Sequence, residues 1–329
     1  MKKIVLILSV FLHVNLFAQE NQENTTKKDI LVLSGPISSV SHPFYKIIED
    51  NVLSDIAKKV EFREWKNPDE LRALVLKGEV DFVALPVNIA AILYNKEQHV
   101  KLLSVSIWGI MTIVSTDKNV KKIEDLKHEE VLVPFRADMP DIILQALLRK
   151  ALLDIKKDIK LNYVSTPVDA VQMLVTKKAK HALLVEPVTS MAMLKTSSFP
   201  KILAIPTFYR AIDLQDEWGR LYETANRVPQ AGIGVVANVD EHVQKRVLEE
   251  YEKALNWYRQ NPSEAGKLAA KHVKMFNEDM IKESILHVRF ENVKIEDAKE
   301  ELERFFKVLY EINPKIIGEK IPDNGFYEK

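Results

Sequence analysis

Two stretches of this chain, about a hundred residues apart, follow one plan, and that repeat limits the fold more than any other feature. The first reads DILVLSG from Asp29, then Asn67-Pro-Asp-Glu-Leu, then Glu79-Val-Asp-Phe-Val-Ala-Leu-Pro86. The second reads EVLVPFR from Glu130, then Thr166-Pro-Val-Asp-Ala, then Lys180-His-Ala-Leu-Leu-Val-Glu-Pro187. From Asp29 to Glu130, Pro68 to Pro167 and Pro86 to Pro187 the offsets are 101, 99 and 101 residues, so the register barely drifts. Two similar α/β units in one chain leave a cleft between them, and small ligands bind in such clefts.

Within each unit the punctuation is that of βαβαβ. Ile30–Ser34 reads as a buried strand. Pro43 opens a helix capped by Ser41 that the periodicity carries to about Lys59, and Val60–Trp65 follows as a strand. Asn67-Pro68-Asp69-Glu70 supplies a cap, a proline for the first helical position and an acidic third residue, and Thr166-Pro167-Val168-Asp169 repeats it. Val80–Leu85 reads as a mostly apolar strand, as in a sheet covered on both faces, and His181–Val185 closes the second unit. The expected fold is therefore α/β with two lobes, each a mostly parallel sheet flanked by helices. Leu102–Ser115 and Ala231–Asn238 are read as the two connecting strands, so that 29–114 with 229–329 makes lobe one and 115–228 lobe two. The mixed-charge stretch 208–228 is read as a flap over the cleft. The last helix, about Ile295 to Tyr310, spaces Ala298, Leu302, Phe305, Phe306 and Leu309 for a core.

Composition narrows the class. Basic and acidic residues balance at 47 each without a long Lys/Arg block, so nothing marks a nucleic-acid binder. The chain has no cysteine, which removes disulfides, thiolate metal sites, cysteine nucleophiles and lipid-modified cysteines. Residues 1–18 have Lys2 and Lys3, an apolar run Ile4–Leu12, and Leu16-Phe17-Ala18 before Gln19, the layout of a cleaved secretory signal. That run is too short to span a bilayer. Residues 19–28 are polar and read as a disordered leader, and the mature chain as free in a periplasm.

Ligands of open parallel sheets sit beyond the carboxyl ends of the strands, which selects short loops in each lobe. In lobe one these hold Ser38, Pro86 and Asn88; in lobe two Arg136, Asp138, Thr166 and Glu186. Ser38 offers a hydroxyl for an anion or carbonyl, or serves in ordinary helix capping. Arg136 could clamp a carboxylate, sulfonate or phosphate, or pair with Asp138, which itself suits a helix cap. Glu186 could take a ligand amine or bridge the cleft mouth. Trp108 and Gly109 lie in the first connecting strand, where an indole could stack on a planar ligand beside the space a glycine leaves, with core packing as the alternative. Tyr209 and Trp218 are the remaining aromatics near the second crossing. The eight histidines show no HxxxH or HExxH spacing, so neither a metal nor a cofactor is expected, and no catalytic motif appears.

LKGEVDFVALP (76–86), IEDLKHEEVLVP (123–134), STPVDAVQMLVTKKAKHALLVEP (165–187) and the segment 232–265 resemble the periplasmic solute-binding proteins of ABC transporters, in the nitrate/sulfonate/taurine and thiamine-precursor group. The resemblance implies a type II periplasmic binding fold that closes by hinge bending. It also implies a monomeric, non-enzymatic receptor that delivers a small-molecule ligand to an inner-membrane ABC permease. Val185 stands where many relatives carry Trp before Glu-Pro, and Gly109 where a double glycine is common, so the ligand stays open between a small organic anion and a planar heterocycle. Fold-related enzymes are the alternative. A pyrimidine-precursor synthase needs a cysteine-rich segment this chain lacks, and a chorismate dehydratase is cytosolic, against the leader. A periplasmic sensing accessory is the third reading.

Overall fold

The computed structural model describes residues 27–97, 100–198, 205–236 and 238–328. The expected signal and nearly all of the leader lie outside them; Lys28 already belongs to the first strand.

The chain builds β1 (Lys28–Gly35), α1 (His42–Glu49), β2 (Ala57–Glu64), α2 (Pro68–Leu76), β3 (Phe82–Pro86), α3 (Val87–Asn95) and β4 (Val100–Gly109). It then crosses at Ile110 into β5 (Met111–Ser115) and repeats the plan. Here the elements are β6 (Glu130–Pro134), α4 (Met139–Lys150), β7 (Lys160–Val164), α5 (Pro167–Val175), β8 (His181–Val185), α6 (Val188–Ser198) and β9 (Tyr209–Asp213). After α7 (Leu214–Tyr222) it returns as β10 (Ala231–Val236), α8 (Glu241–Gln260), α9 (Pro262–His272), α10 (Glu278–Ile285), β11 (Arg289–Lys294) and α11 (Ile295–Ile312).

Two sheets result, ordered β11-β4-β10-β3-β1-β2 and β7-β6-β8-β5-β9. In each, three parallel strands of one repeat are followed by one antiparallel strand that has just crossed from the other lobe: β10 beside β3, and β5 beside β8. Beyond it lies the repeat's own fourth strand, β4 or β9, antiparallel to the crossing strand. The duplication is therefore longer by a helix and a strand than the sequence signal. For this reason residues 208–228 are no flap: β9 is a sheet edge, and α7 packs on α4 and β5.

Local chemistry explains the caps. Asn67 accepts from the N–H groups of Asp69 and Glu70, and Thr166 forms a full capping box with Asp169. Ser41, expected as a cap, makes no cap bond; its Oγ rests against Gly35, where a Cβ would sit 2.1 Å from it. The first helix ends at Glu49 rather than Lys59. Asn51 turns left-handed (φ 51°), although Leu53 and Ile56 keep apolar spacing and are buried by turns. Asn261 both closes α8, its Nδ2 donating to the Trp257 carbonyl at 2.9 Å, and opens α9, its own carbonyl accepting from Ala265 N–H at 2.9 Å.

Helices cover both faces, and each apolar layer runs through both lobes. One layer gathers side chains of α2, α3, α4, α7 and α11; the other those of α1, α5, α6, α8, α9 and α10.

Candidate functional site

The site is built around two chain crossings. At the first, the Ile110 carbonyl accepts from Glu186 N–H at 3.1 Å. At the second, Val228 and Gln230 donate to the carbonyls of Trp108 and Ile107, and the Gln230 carbonyl accepts from Val87 N–H. The crossing is thus 223–230, one segment earlier than the sequence reading placed it, and β10 lies wholly within lobe one's sheet. Gln215 fastens the crossings together. Its Oε1 accepts from Ile110 N–H (3.3 Å), Met111 N–H (3.2 Å) and Gln230 Nε2 (2.8 Å). Because Pro86 pairs with Ala231 and Glu186 bonds Ile110, the ends of β3 and β8 flank this hinge.

On lobe one the β1–α1 loop carries half-buried Ser38 and buried Ser39 and Ser41. Behind it, His42 is fully enclosed. A carbonyl only accepts, so Nε2 carries the proton toward Ile37 O (3.3 Å) and Nδ1 accepts from Tyr258 Oη (2.6 Å). Burial lowers its pKa to about 4. Asn88 lies not in a loop but in the first turn of α3, its Nδ2 toward Ile316 O at 3.5 Å.

On lobe two the β6–α4 loop is strained. Phe135 and Ala137 both hold left-handed φ (56° and 63°), a region costing an L-residue roughly 1–2 kcal/mol, and Phe135 is 40% exposed. Between them, exposed Arg136 lies over the Tyr163 ring (5.0 Å) and has no carboxylate partner among the described residues. Asp141 holds the loop by accepting from Ala137 N–H at 2.8 Å, and Asp138 caps α4. Burial raises the Asp138 pKa; the Met139 N–H and the nearby Arg72 of lobe one oppose it.

Glu186 is not free for a ligand amine. It is buried, bonded by Arg210 through one oxygen and by Ser190 N–H through the other, while Arg210 Nη2 donates to Ser190 Oγ at 2.8 Å. Sequence reading missed Arg210, Ser190, Gln215 and Gln230. Their signal was contact between distant segments, which no local pattern carries.

Other expected contacts move away. Trp108 is 1% exposed, its Nε1 donating to Glu291 O (2.8 Å) and its face covered by Arg227 (4.3 Å), so the indole does not front the cleft. The room beside Gly109 is filled by Gln215 and Arg289, 2.8 and 2.9 Å from where a Cβ would stand. Tyr209 pairs with Ser115 opposite His181, at the amino end of β8, roughly 13 Å along the strand from the cleft end at Val185. Trp218 is buried behind the hinge against Tyr222 and the Phe305 ring of α11. The Thr166 hydroxyl is taken up by its capping box. Pro86, Glu186 and the hinge therefore come together, with Ser38, Arg136 and Asp138 at the rims.

Among the described residues no group of three or more His, Asp or Glu is placed to hold a metal, and no helix is long and apolar enough to cross a membrane. A family model described as menaquinone biosynthesis matches residues 40–311. A search of curated protein sequences finds no match. Among solved structures, an ABC transporter protein from Parabacteroides distasonis is 24% identical with a TM-score of 0.76, covering 92% of this chain and 99% of its own. The periplasmic aliphatic sulphonate binding protein of Escherichia coli is 15% identical with a TM-score of 0.68, covering 91% and 98%. The periplasmic nitrate-binding protein of Synechocystis PCC 6803 is 13% identical with a TM-score of 0.64, covering 91% and 84%. These likenesses establish the two-lobed periplasmic binding fold.

Proposed function

We propose that this chain, which belongs to the menaquinone-biosynthesis family by its match over residues 40–311, is an exported receptor that binds a small organic anion between its lobes. Delivery to an ABC-type membrane permease is part of this reading. The observation that carries it is Arg136, held on a strained loop at the cleft rim with its guanidinium over Tyr163 and no carboxylate partner among the described residues. Strain kept at a rim suits binding better than folding, and an uncommitted arginine suits a carboxylate or sulfonate. The sulphonate- and nitrate-binding relatives of the fold support an anion. Catalysis has little to work with here: Glu186 is spent on Arg210, and His42 is enclosed behind the rim.

The test is a thermal-shift and calorimetric screen of the mature protein with nitrate, sulfonates and aliphatic and aromatic carboxylates. A ligand at a hundred times its Kd adds about 2.7 kcal/mol to stability. Arg136→Ala is expected to weaken binding by roughly ten- to a hundredfold, the worth of a charge-assisted hydrogen bond. A ligand held equally well by Arg136→Ala would remove the reading.

An enzyme reading has one observation in its favour besides the family: Asp138, a rim carboxyl whose pKa burial raises, as a general acid requires. Incubation with chorismate, followed by ultraviolet absorbance, decides it. Turnover abolished by Asp138→Asn would establish the enzyme; an unchanged spectrum would leave the receptor.

A further inference from the structure

The helices α1 and α4 end in the same turn, one in each lobe. Val52 N–H donates to Ile47 O at 3.4 Å and Asn51 N–H to Ile48 O at 3.1 Å. At the position 101 residues on, Leu153 N–H donates to Leu148 O at 2.9 Å and Leu152 N–H to Arg149 O at 3.0 Å. The turning residue of this closing motif is left-handed, with φ 51° at Asn51 and 60° at Leu152. The helices α2 and α5 close in the same way through Gly78 and Lys177 (φ 63° and 57°). Glycine and asparagine suit such a backbone, and a lysine there keeps its charge in water. Leu152 carries the one apolar side chain of the four. It is 91% exposed, so its strained backbone is not offset by burial. The fold gains nothing from Leu152 that Asn51 does not supply at the equivalent position.

Basic groups surround this leucine. Arg149 and Lys150 end α4, and Lys156 follows four residues after Leu152; all three are exposed. None of them has a carboxylate partner among the described residues, and Lys150 lies 5.2 Å from the Tyr222 ring centre. The acids of the turn are engaged elsewhere. Asp154 accepts from Lys156 N–H at 2.8 Å and faces Lys157 at 3.7 Å, while Asp158 accepts from Asp154 N–H at 2.9 Å and pairs with Lys127 at 3.4 Å. The turn thus presents a protruding apolar tip among uncompensated cations.

We propose that this turn, with Leu152 as its tip and Arg149, Lys150 and Lys156 around it, is a contact site for the anionic phospholipids of a membrane surface. A side chain so exposed has no pocket around it, which sets aside a small ligand. An anionic bilayer needs no shaped complement: it takes an apolar tip between its headgroups and holds basic residues by charge. The site goes beyond the receptor reading and does not depend on which ligand fills the cleft. Helix α4 starts at the cleft rim and runs for 12 residues, roughly 18 Å, before reaching the turn, so the contact leaves the cleft mouth free.

The test is co-sedimentation of the mature protein with vesicles. Vesicles containing phosphatidylglycerol are expected to carry the protein down and pure phosphatidylcholine vesicles to leave it in solution, with rising salt releasing it. Leu152→Asn, which copies the turn of the other lobe, should cut binding several-fold yet melt no lower than the wild type. Lys156→Gln should cut binding roughly fivefold. No binding to phosphatidylglycerol vesicles, or binding unmoved by Leu152→Asn, overturns the proposal. So does a Leu152→Asn variant that melts well below the wild type, since the leucine would then serve the fold. Retention on immobilised polyglutamate without binding to vesicles would give the turn to an acidic protein and overturn the lipid assignment.

Discussion

His42 shows how much one side chain's surroundings decide. The sequence presents it as a histidine beside a helix start; the fold encloses it between Ile37 O and Tyr258 Oη, and burial lowers its pKa to about 4. The unfolded chain takes up a proton near pH 6.5 and the folded one resists until about 4, so this stability is present above 6.5 and lost as pH falls through that window. Between pH 7.5 and 4.5 the wild type is expected to lose about 2–3 kcal/mol more than His42→Asn, read by urea denaturation at each pH. Equal losses would mean that His42 titrates normally. Arg136 and Asp138 were legible as rim residues because a loop after a parallel strand places them there. The enclosure of Trp108 by Arg227 and the commitment of Glu186 to Arg210 were not, since both partners lie far away in sequence.

Among the elements, β10 is the most constrained. It lies between β3 and β4, with register shifts at Ala231/Gly232 and Ile233/Gly234. Gly232 lets the strand approach β4 so closely that a Cβ would stand 1.8 Å from the Ser104 carbonyl oxygen. Backbone, unlike a side-chain tip, cannot swing aside. Gly232→Ala is therefore expected to destabilise by roughly 2–4 kcal/mol, at the upper end of overpacking costs, in a denaturant titration. Gly78→Ala offers a contrast, since nothing lies within 4 Å of its Cβ position and only its positive φ opposes the change. Strand and helix types were readable from periodicity. The roles of β9 as sheet edge and β10 as inserted strand were not, because pairing partners are chosen by the fold and not by local pattern.

At the scale of the whole molecule the lobes are tied as well as hinged. Trp218 meets Phe305 edge-on at 5.6 Å, Arg289 of β11 reaches Asp213 and Asp216 across the second crossing, and α10 lies on α6. The ion pairs are between about a third and over half exposed and contribute up to about 1 kcal/mol each, so the aromatic contact and the shared apolar layers dominate. The ligand-free protein should therefore scatter X-rays as one compact body, with a radius of gyration near 19 Å for about 300 residues. The double variant Trp218→Ala/Arg289→Ala should expand it, and a ligand should reverse the expansion. A wild type already as expanded as the variant would show that these ties do not hold the lobes. By itself the sequence determined the duplicated βαβαβ units, their caps and their cleft-edge loops, since periodicity, proline and capping chemistry act within a few residues. Only the tertiary structure decided where the chain crosses, that Glu186 is committed to Arg210, and which aromatics are buried. Those outcomes depend on contacts between segments up to about two hundred residues apart, where close packing admits one partner and excludes the rest.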